Sequence, residues 1–192
     1  MKNNQTLIME LKNLYVITGG PGVGKTTLIN ALNQRGYSTV PEEARKIIQQ
    51  QTLTNADGVP WKNKTFYAQL MLEASIETFN LVIAKSSDEI TFFDRGILDS
   101  ICYMKMENIP ILSDFENDLL KYRYNKRVFL LPPWLEIYET DNERKQTWEE
   151  AVYTYYKMKQ TYLEYSYEII EVPKVSIDER CDFIVTNVIK DL

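Results

Sequence analysis

Gly19-Gly20-Pro21-Gly22-Val23-Gly24-Lys25-Thr26-Thr27 is the most informative stretch of this chain. It fits the pattern G-x-x-x-x-G-K-[ST], with Gly19, Gly24, Lys25 and Thr26 in register. Leu14-Tyr15-Val16-Ile17-Thr18 before it reads as a short, apolar, β-branched strand. Thr27 through Arg35 after it reads as a helix, with Leu28 and Leu32 on one stripe. Strand, glycine loop and helix together make a phosphate cradle. Glycines let the backbone curl so that its N–H groups turn inward, and the helix N-terminus adds favourable partial charge. Residues 19–27 are therefore expected to hold nucleotide phosphates. Lys25 reaches the β- and γ-phosphates in such a loop, and the Thr26 hydroxyl binds Mg²⁺.

Outward from the loop, short apolar strands alternate with helices. Further strands are expected at 37–40, 90–94, 128–131 and 168–172, the second, fourth and fifth stopped by Pro41, Pro132 and Pro173. Helices are expected at 42–51, 64–86, from Gly96 to about 107, at 113–124, at 148–165 and from Ser176 onward. Ala68, Leu72, Ile76, Phe79 and Ile83 make one stripe on the long third helix. Trp148, Val152, Tyr155 and Tyr162 make another, and Ile177, Cys181, Ile184 and Val188 a third. Residues 1–12 read as a loose lead-in. Alternating strands and helices imply a mostly parallel sheet covered on both faces, a three-layer α/β/α fold, and a single nucleotide-binding domain over 1–192.

The bulk composition narrows the chemistry. A net charge of −5 argues against a non-specific nucleic-acid binder. No apolar run approaches the roughly 18–20 residues of a membrane span. Cys102 and Cys181 are the two cysteines, without metal-ligand spacing, and fit a reducing cytosol, so a cytoplasmic location is expected. There is no histidine, which leaves acid–base work to carboxylates, Lys, Arg, Tyr or water.

Asp94 is the second anchor. An apolar strand ending in an acid 70 residues after Gly24 suits a Walker B acid, which holds Mg²⁺ directly or through water. The competing reading is a helix cap. Arg95 beside it pairs with a phosphate or with a structural carboxylate. Glu42 and Glu43 follow the second strand, whose carboxyl end faces the same site. A carboxylate there orients an acceptor hydroxyl for attack on the γ-phosphate, or else serves as an acidic first helical turn. Glu42 and Glu43 are both candidates for this role, and Arg45 is a substrate or phosphate contact. The segment 134–148 reads as a lid bearing Arg144 and Lys145, with Arg144 as the closing cation. Trp61, Phe66 and Gln69 are acceptor candidates: aromatics stack on a ring and a Gln reads its edge, against the plainer reading of core packing. The six tyrosines between 153 and 167 read as packing and amphipathic surface.

These residues give the chain a family likeness. It resembles a P-loop kinase-like, AAA-type ATP-binding family related to the nicotinamide-riboside kinase domain of NadR proteins. The likeness rests on residues 19–27, Val40-Pro41-Glu42-Glu43-Ala44-Arg45, Phe93-Asp94-Arg95-Gly96, Phe129-Leu130-Leu131-Pro132-Pro133-Trp134, and Asp141-Asn142-Glu143-Arg144 with Glu149-Glu150-Ala151. It implies a five-stranded parallel sheet of order 2-3-1-4-5 and a nucleoside- or nucleotide-kinase-like site. More distantly, Asp94-Arg95 resembles the acid–arginine pair of deoxynucleoside kinases, whose site also uses a glutamate after strand two, and this likeness ranks Glu42 above Glu43. One helix follows strand five, without a recognisable sensor segment, so hexameric motor activity is not expected. The leading expectation is an enzyme: ATP·Mg²⁺-dependent phosphoryl transfer to a small nucleoside-like or other small-molecule acceptor. Lys25, Glu42, Asp94, Arg95 and Arg144 are its catalytic candidates, Thr26 and Asp94 its metal ligands. The alternative is a nucleotide-binding switch acting on a protein or lipid partner. No Asn-Lys-x-Asp guanine signature occurs, so ATP is preferred, with its purine near 173–177. No motif specifies the acceptor or an oligomeric state.

Overall fold

Alternation along one strand sorts the core into two halves. A computed structural model describes residues 12–111, 119, 121–138 and 147–190. Strand β1 (Leu14–Gly19) is buried along its whole length. Leu14 and Val16 point into one cluster with Phe93, Ile101, Val128 and Tyr162. Tyr15 and Ile17 point into the other, with Leu28, Leu32, Phe129, Cys181 and Ile184. A strand that is apolar on both faces must be covered on both, and that is the central position of a parallel sheet.

The other elements follow in chain order. Helix α1 is Lys25–Gln34, β2 Ser38–Val40, α2 Glu43–Leu53, α3 Lys64–Ala84, β3 Thr91–Asp94 and α4 Ile97–Met106. Then come β4 (Arg127–Leu131), a 3₁₀ turn at Leu135–Ile137, α5 (Trp148–Glu164), β5 (Glu168–Glu171) and α6 (Ile177–Ile189). The five strands are parallel and ordered β2-β3-β1-β4-β5, the order that the family likeness implied. Register aligns Ile17 with Asp94 and Val40 with Phe93. The carboxyl ends of β1, β2 and β3 therefore finish side by side, and the loops after them share one edge of the sheet.

Some local expectations shift. The stripe on α5 is Ala151, Thr154, Tyr155, Met158, Thr161 and Tyr162, with Trp148 and Val152 only half-buried. Its centre was set by the apolar residues, and the threonines that complete it carried no hydrophobic signal. On α3, Tyr67 and Met71 are buried with Ala68 and Phe79, whereas Ile83 is exposed. The helix expected at 113–124 falls largely outside the described residues, and 121–124 is turn and loop. The lead-in 1–11, and residues 139–146 of the expected lid, also lie outside them.

Candidate active site

The phosphate loop forms as its glycines predict. Gly22 and Gly24 have φ of +72° and +79°, a region where a side chain is strained. A Cβ on Gly22 would fall 2.7 Å from the Tyr138 ring, and one on Gly24 would fall 3.0 Å from Arg180 Nη1. Gly24 is the N-cap of α1, so the free backbone N–H groups of the first turn open towards the loop. Residues 20–27 line a cavity of about 1110 Å³. Gly19 instead ends β1, where Leu131 O leaves no room for a side chain. Val175, Ser176 and Ile177, from the stretch expected to meet the purine, also line the cavity.

Lys25 is buried, and its Nζ lies 3.5 Å from Asp94 Oδ1. That carboxylate oxygen is itself buried and accepts no hydrogen bond. A buried, unsatisfied carboxylate oxygen beside a phosphate loop has the chemistry of a hard-cation ligand. Thr26 is exposed on the cavity wall. The pair therefore fits a Mg²⁺ ion shared with phosphate oxygens. Asp94 is not a helix cap: α4 starts after Gly96, and the carboxylate that caps it belongs to Asp99.

Glu42 and Arg95 meet at 2.6 Å, Oε1 to Nε. Both residues line the larger cavity and a second one of about 340 Å³, as do Tyr67 and Tyr103. Arg45 Nε sits 3.5 Å from Glu42 Oε2 and faces the larger cavity. Burial pushes the Glu42 carboxyl up, but Arg95, Lys25 and Arg45 outweigh it and pull its pKa down to about 2. Glu42 is thus an anion across the physiological range. Arg95 holds a positive φ of 74°, a strained backbone for a non-glycine residue. Its N–H donates to Ile17 O at 3.0 Å, and its Nη1 donates to Asp99 Oδ1 at 3.1 Å.

Asp99 and Arg180 are the residues that sequence reasoning missed. Asp99 is buried and accepts from Thr18 Oγ1, from Tyr162 Oη at 2.6 Å and from Gly96 N at 2.9 Å, besides Arg95. Its signal was available: it stands four residues after Arg95, at the third position of a helix that follows a glycine. Arg180 is 3% exposed and donates to Val23 O at 3.3 Å and to Pro173 O at 3.4 Å, with its guanidinium 4.8 Å from the Trp134 ring centre. It ties the phosphate loop to the loop after β5. Nothing local marked it, because it sits beside Cys181 on an otherwise apolar stripe.

Of the acceptor candidates, Trp61 is exposed on the wall of the larger cavity. Phe66 and Gln69 are exposed and line neither cavity; the neighbouring Tyr67 takes the inward position on that turn. Arg144 lies outside the described residues. The ends of its segment are brought together beside the phosphate loop: Tyr138 packs edge-on against Trp148, and its hydroxyl donates to Thr147 O at 3.2 Å.

The model of an AAA-domain family matches residues 14–180, from β1 to Arg180. The chain belongs to this AAA-domain family. No curated protein matches it in sequence. Among solved structures, this AAA domain is similar to a NadR protein in complex with NR, with a TM-score of 0.69 and 16% identity. That match covers 93% of the chain and 50% of the NadR chain, so the AAA domain spans about half of that protein. It is also similar to deoxyadenosine kinase from M. mycoides, with a TM-score of 0.60, 18% identity, and coverage of 92% and 99%. Thymidylate kinase from Ehrlichia chaffeensis gives 0.57, 16%, 91% and 97%. These likenesses establish the fold, that of the P-loop kinases. No helix among the described residues is long and apolar enough to cross a membrane.

Proposed function

We propose that this AAA-domain protein is a small-molecule kinase that transfers the γ-phosphoryl group of ATP·Mg²⁺ to an alcohol or phosphate acceptor. One observation carries the reading: a second cavity adjoins the phosphate-loop cavity, and the paired Glu42 and Arg95 line both. A transferase needs two compartments that meet where the reacting atoms meet, whereas a hydrolytic switch needs only one. The names of the similar structures, a deoxyadenosine kinase and a thymidylate kinase among them, support the same reading.

Each residue then has a role. The loop backbone and Lys25 hold the phosphates. Bound Mg²⁺, held by Thr26 and Asp94, would neutralise charge on the phosphate oxygens. Glu42 accepts the hydrogen bond of the acceptor hydroxyl and points its oxygen at phosphorus. With a pKa near 2 it cannot remove that proton in the ground state; it takes the proton late, once the oxygen is bonded to phosphorus. Arg95, held between Glu42 and Asp99, fixes that orientation, and Arg144 would supply positive charge from segment 139–146.

The test is ADP release from ATP·Mg²⁺ with and without a pooled acceptor library, using Lys25→Ala as control. Acceptor-dependent release that vanishes in Lys25→Ala is expected. Slow release indifferent to every acceptor would instead favour the nucleotide switch.

A further inference from the structure

The walls of the smaller cavity restrict what can enter it. The charged groups that line it are Glu42, Glu43, Asp94, Asp99 and Arg95. Four are carboxylates. The one guanidinium is committed on both sides, to Glu42 at 2.6 Å and to Asp99 at 3.1 Å. Glu43 is held by Lys46 at 3.0 Å and by the Thr78 hydroxyl at 3.1 Å. Among the described residues, this wall offers no uncommitted cation to a phosphate or carboxylate. An anionic group placed here would leave water only to face carboxylates at low dielectric, a loss on both counts.

Much of the rest of the wall is apolar, with Met71, Phe93, Met106, Tyr124 and Met158. Thioether and aromatic side chains of this kind suit the faces of a ring. Among the hydroxyls on this wall, two stand apart. Tyr103 Oη and Thr154 Oγ1 are buried and have no hydrogen-bond partner, and Thr154 is only 6% exposed. Buried hydroxyls are normally satisfied, so an orphan pair on a cavity wall points to a ligand that supplies the missing partners. Burial and Glu107 push the Tyr103 phenol up to about 12, which keeps it a neutral donor. A cavity of about 340 Å³ is at the small end of ligand sites, enough for one or two rings and short substituents.

From this wall we infer that the acceptor is a ring-bearing alcohol with no anionic group, neutral or cationic, whose ring edge is read by Tyr103 and Thr154. The inference rests on the kinase reading and narrows it: the protein phosphorylates free alcohols and rejects their phosphate monoesters. In the step, the bond from the acceptor oxygen to the γ-phosphorus forms as the bond from that phosphorus to the β,γ-bridging oxygen breaks. ADP leaves, and the hydroxyl proton passes to Glu42 and then to solvent.

The experiment offers ATP·Mg²⁺ and a panel of ring-bearing alcohols (nucleosides, amino sugars, hydroxylated aromatics), each paired with its phosphate monoester. ADP release and calorimetric binding without nucleotide are both read. Alcohols are expected to exceed their monoesters at least tenfold in kcat/KM. Thr154→Val and Tyr103→Phe should each raise the acceptor KM about 3- to 10-fold, the loss of one hydrogen bond, with the KM for ATP unchanged. Thr154→Val should also keep or raise the thermal midpoint, because it removes an unpaired buried hydroxyl; a hydroxyl with a structural role would lower it. Acceptor-dependent release that favours the monoesters would overturn this inference and leave the kinase reading standing. Calorimetric binding of an alcohol, weakened by Thr154→Val but without any acceptor-dependent release, would keep the cavity assignment and remove the kinase. An acceptor KM unmoved by both variants, or no alcohol saturating the site, would sink the inference itself.

Discussion

Asp99 accepts from four donors, one of them Arg95 Nη1, so in the proposed reaction it aims Arg95. Asp99→Asn keeps the volume but removes the charge opposite the guanidinium, so Arg95 and then Glu42 are free to shift. A misplacement of that kind costs on the order of 10²-fold in kcat. The KM for ATP should stay nearly unchanged, and steady-state kinetics on both substrates would separate the two effects. Asp94→Asn should likewise spare nucleotide binding better than turnover; an unaltered rate would remove Asp94 from the metal site. Glu42 supplies a pH prediction. Its folded-state pKa lies below the ordinary value, so its anionic contacts add stability above pH 4.5 that is lost as pH falls from 4.5 towards 2. No acid limb from Glu42 is then expected in kcat above about pH 5, because it acts as a fixed anion. A limb at pH 6–7 that Glu42→Gln abolishes would show it working as an ordinary base.

At the scale of elements, the phosphate loop and α5 make separate demands. Gly24 combines a positive φ with the close approach of Arg180, so Gly24→Ala strains the backbone and displaces the clamp at once. The αL conformation alone costs about 1–2 kcal/mol for a side chain. Equilibrium binding of ATP should weaken at least tenfold, and circular dichroism should show the fold retained. Helix α5 opens on a capping box: Thr147 Oγ1 accepts from Glu150 N at 3.3 Å, and Thr147 N donates to Glu150 Oε2 at 2.7 Å. Thr147→Ala should cost about 1 kcal/mol. For a domain of this size that lowers the thermal midpoint by roughly 2–4 °C, measurable by calorimetry. The carbonyl of Thr147 also accepts from Tyr138, so the same element start ties together the two described residues that flank 139–146.

For the whole molecule, the sheet divides one hydrophobic core into two slabs, and the site lies where its central strands end. Phe129, fully buried in β4, belongs to the slab beneath α1 and α6. Phe129→Ala should cost about 3–5 kcal/mol in urea unfolding, since it leaves a large cavity that the stiff sheet cannot close. Much of this architecture was legible beforehand. Both-sided apolar strands between amphipathic helices imply a covered parallel sheet, and the loop at 19–27 needs only its own nine residues to set its glycine conformations and its Lys–Thr pair. Asp94 was legible for the same reason, as the acid that ends an apolar strand. What only the tertiary structure decided is the second half of the site. Glu42 meets Arg95 across 53 positions because β2 and β3 are neighbours in register, and Arg180 reaches Val23 across 157 because α6 packs beside α1. Tyr103, Thr154 and Asp99 lie on faces whose orientation depends on how α4 and α5 pack. Local sequence determines backbone conformation through sterics and periodicity; which side chains share a cavity depends on burial and hydrogen-bond satisfaction between elements far apart in the chain.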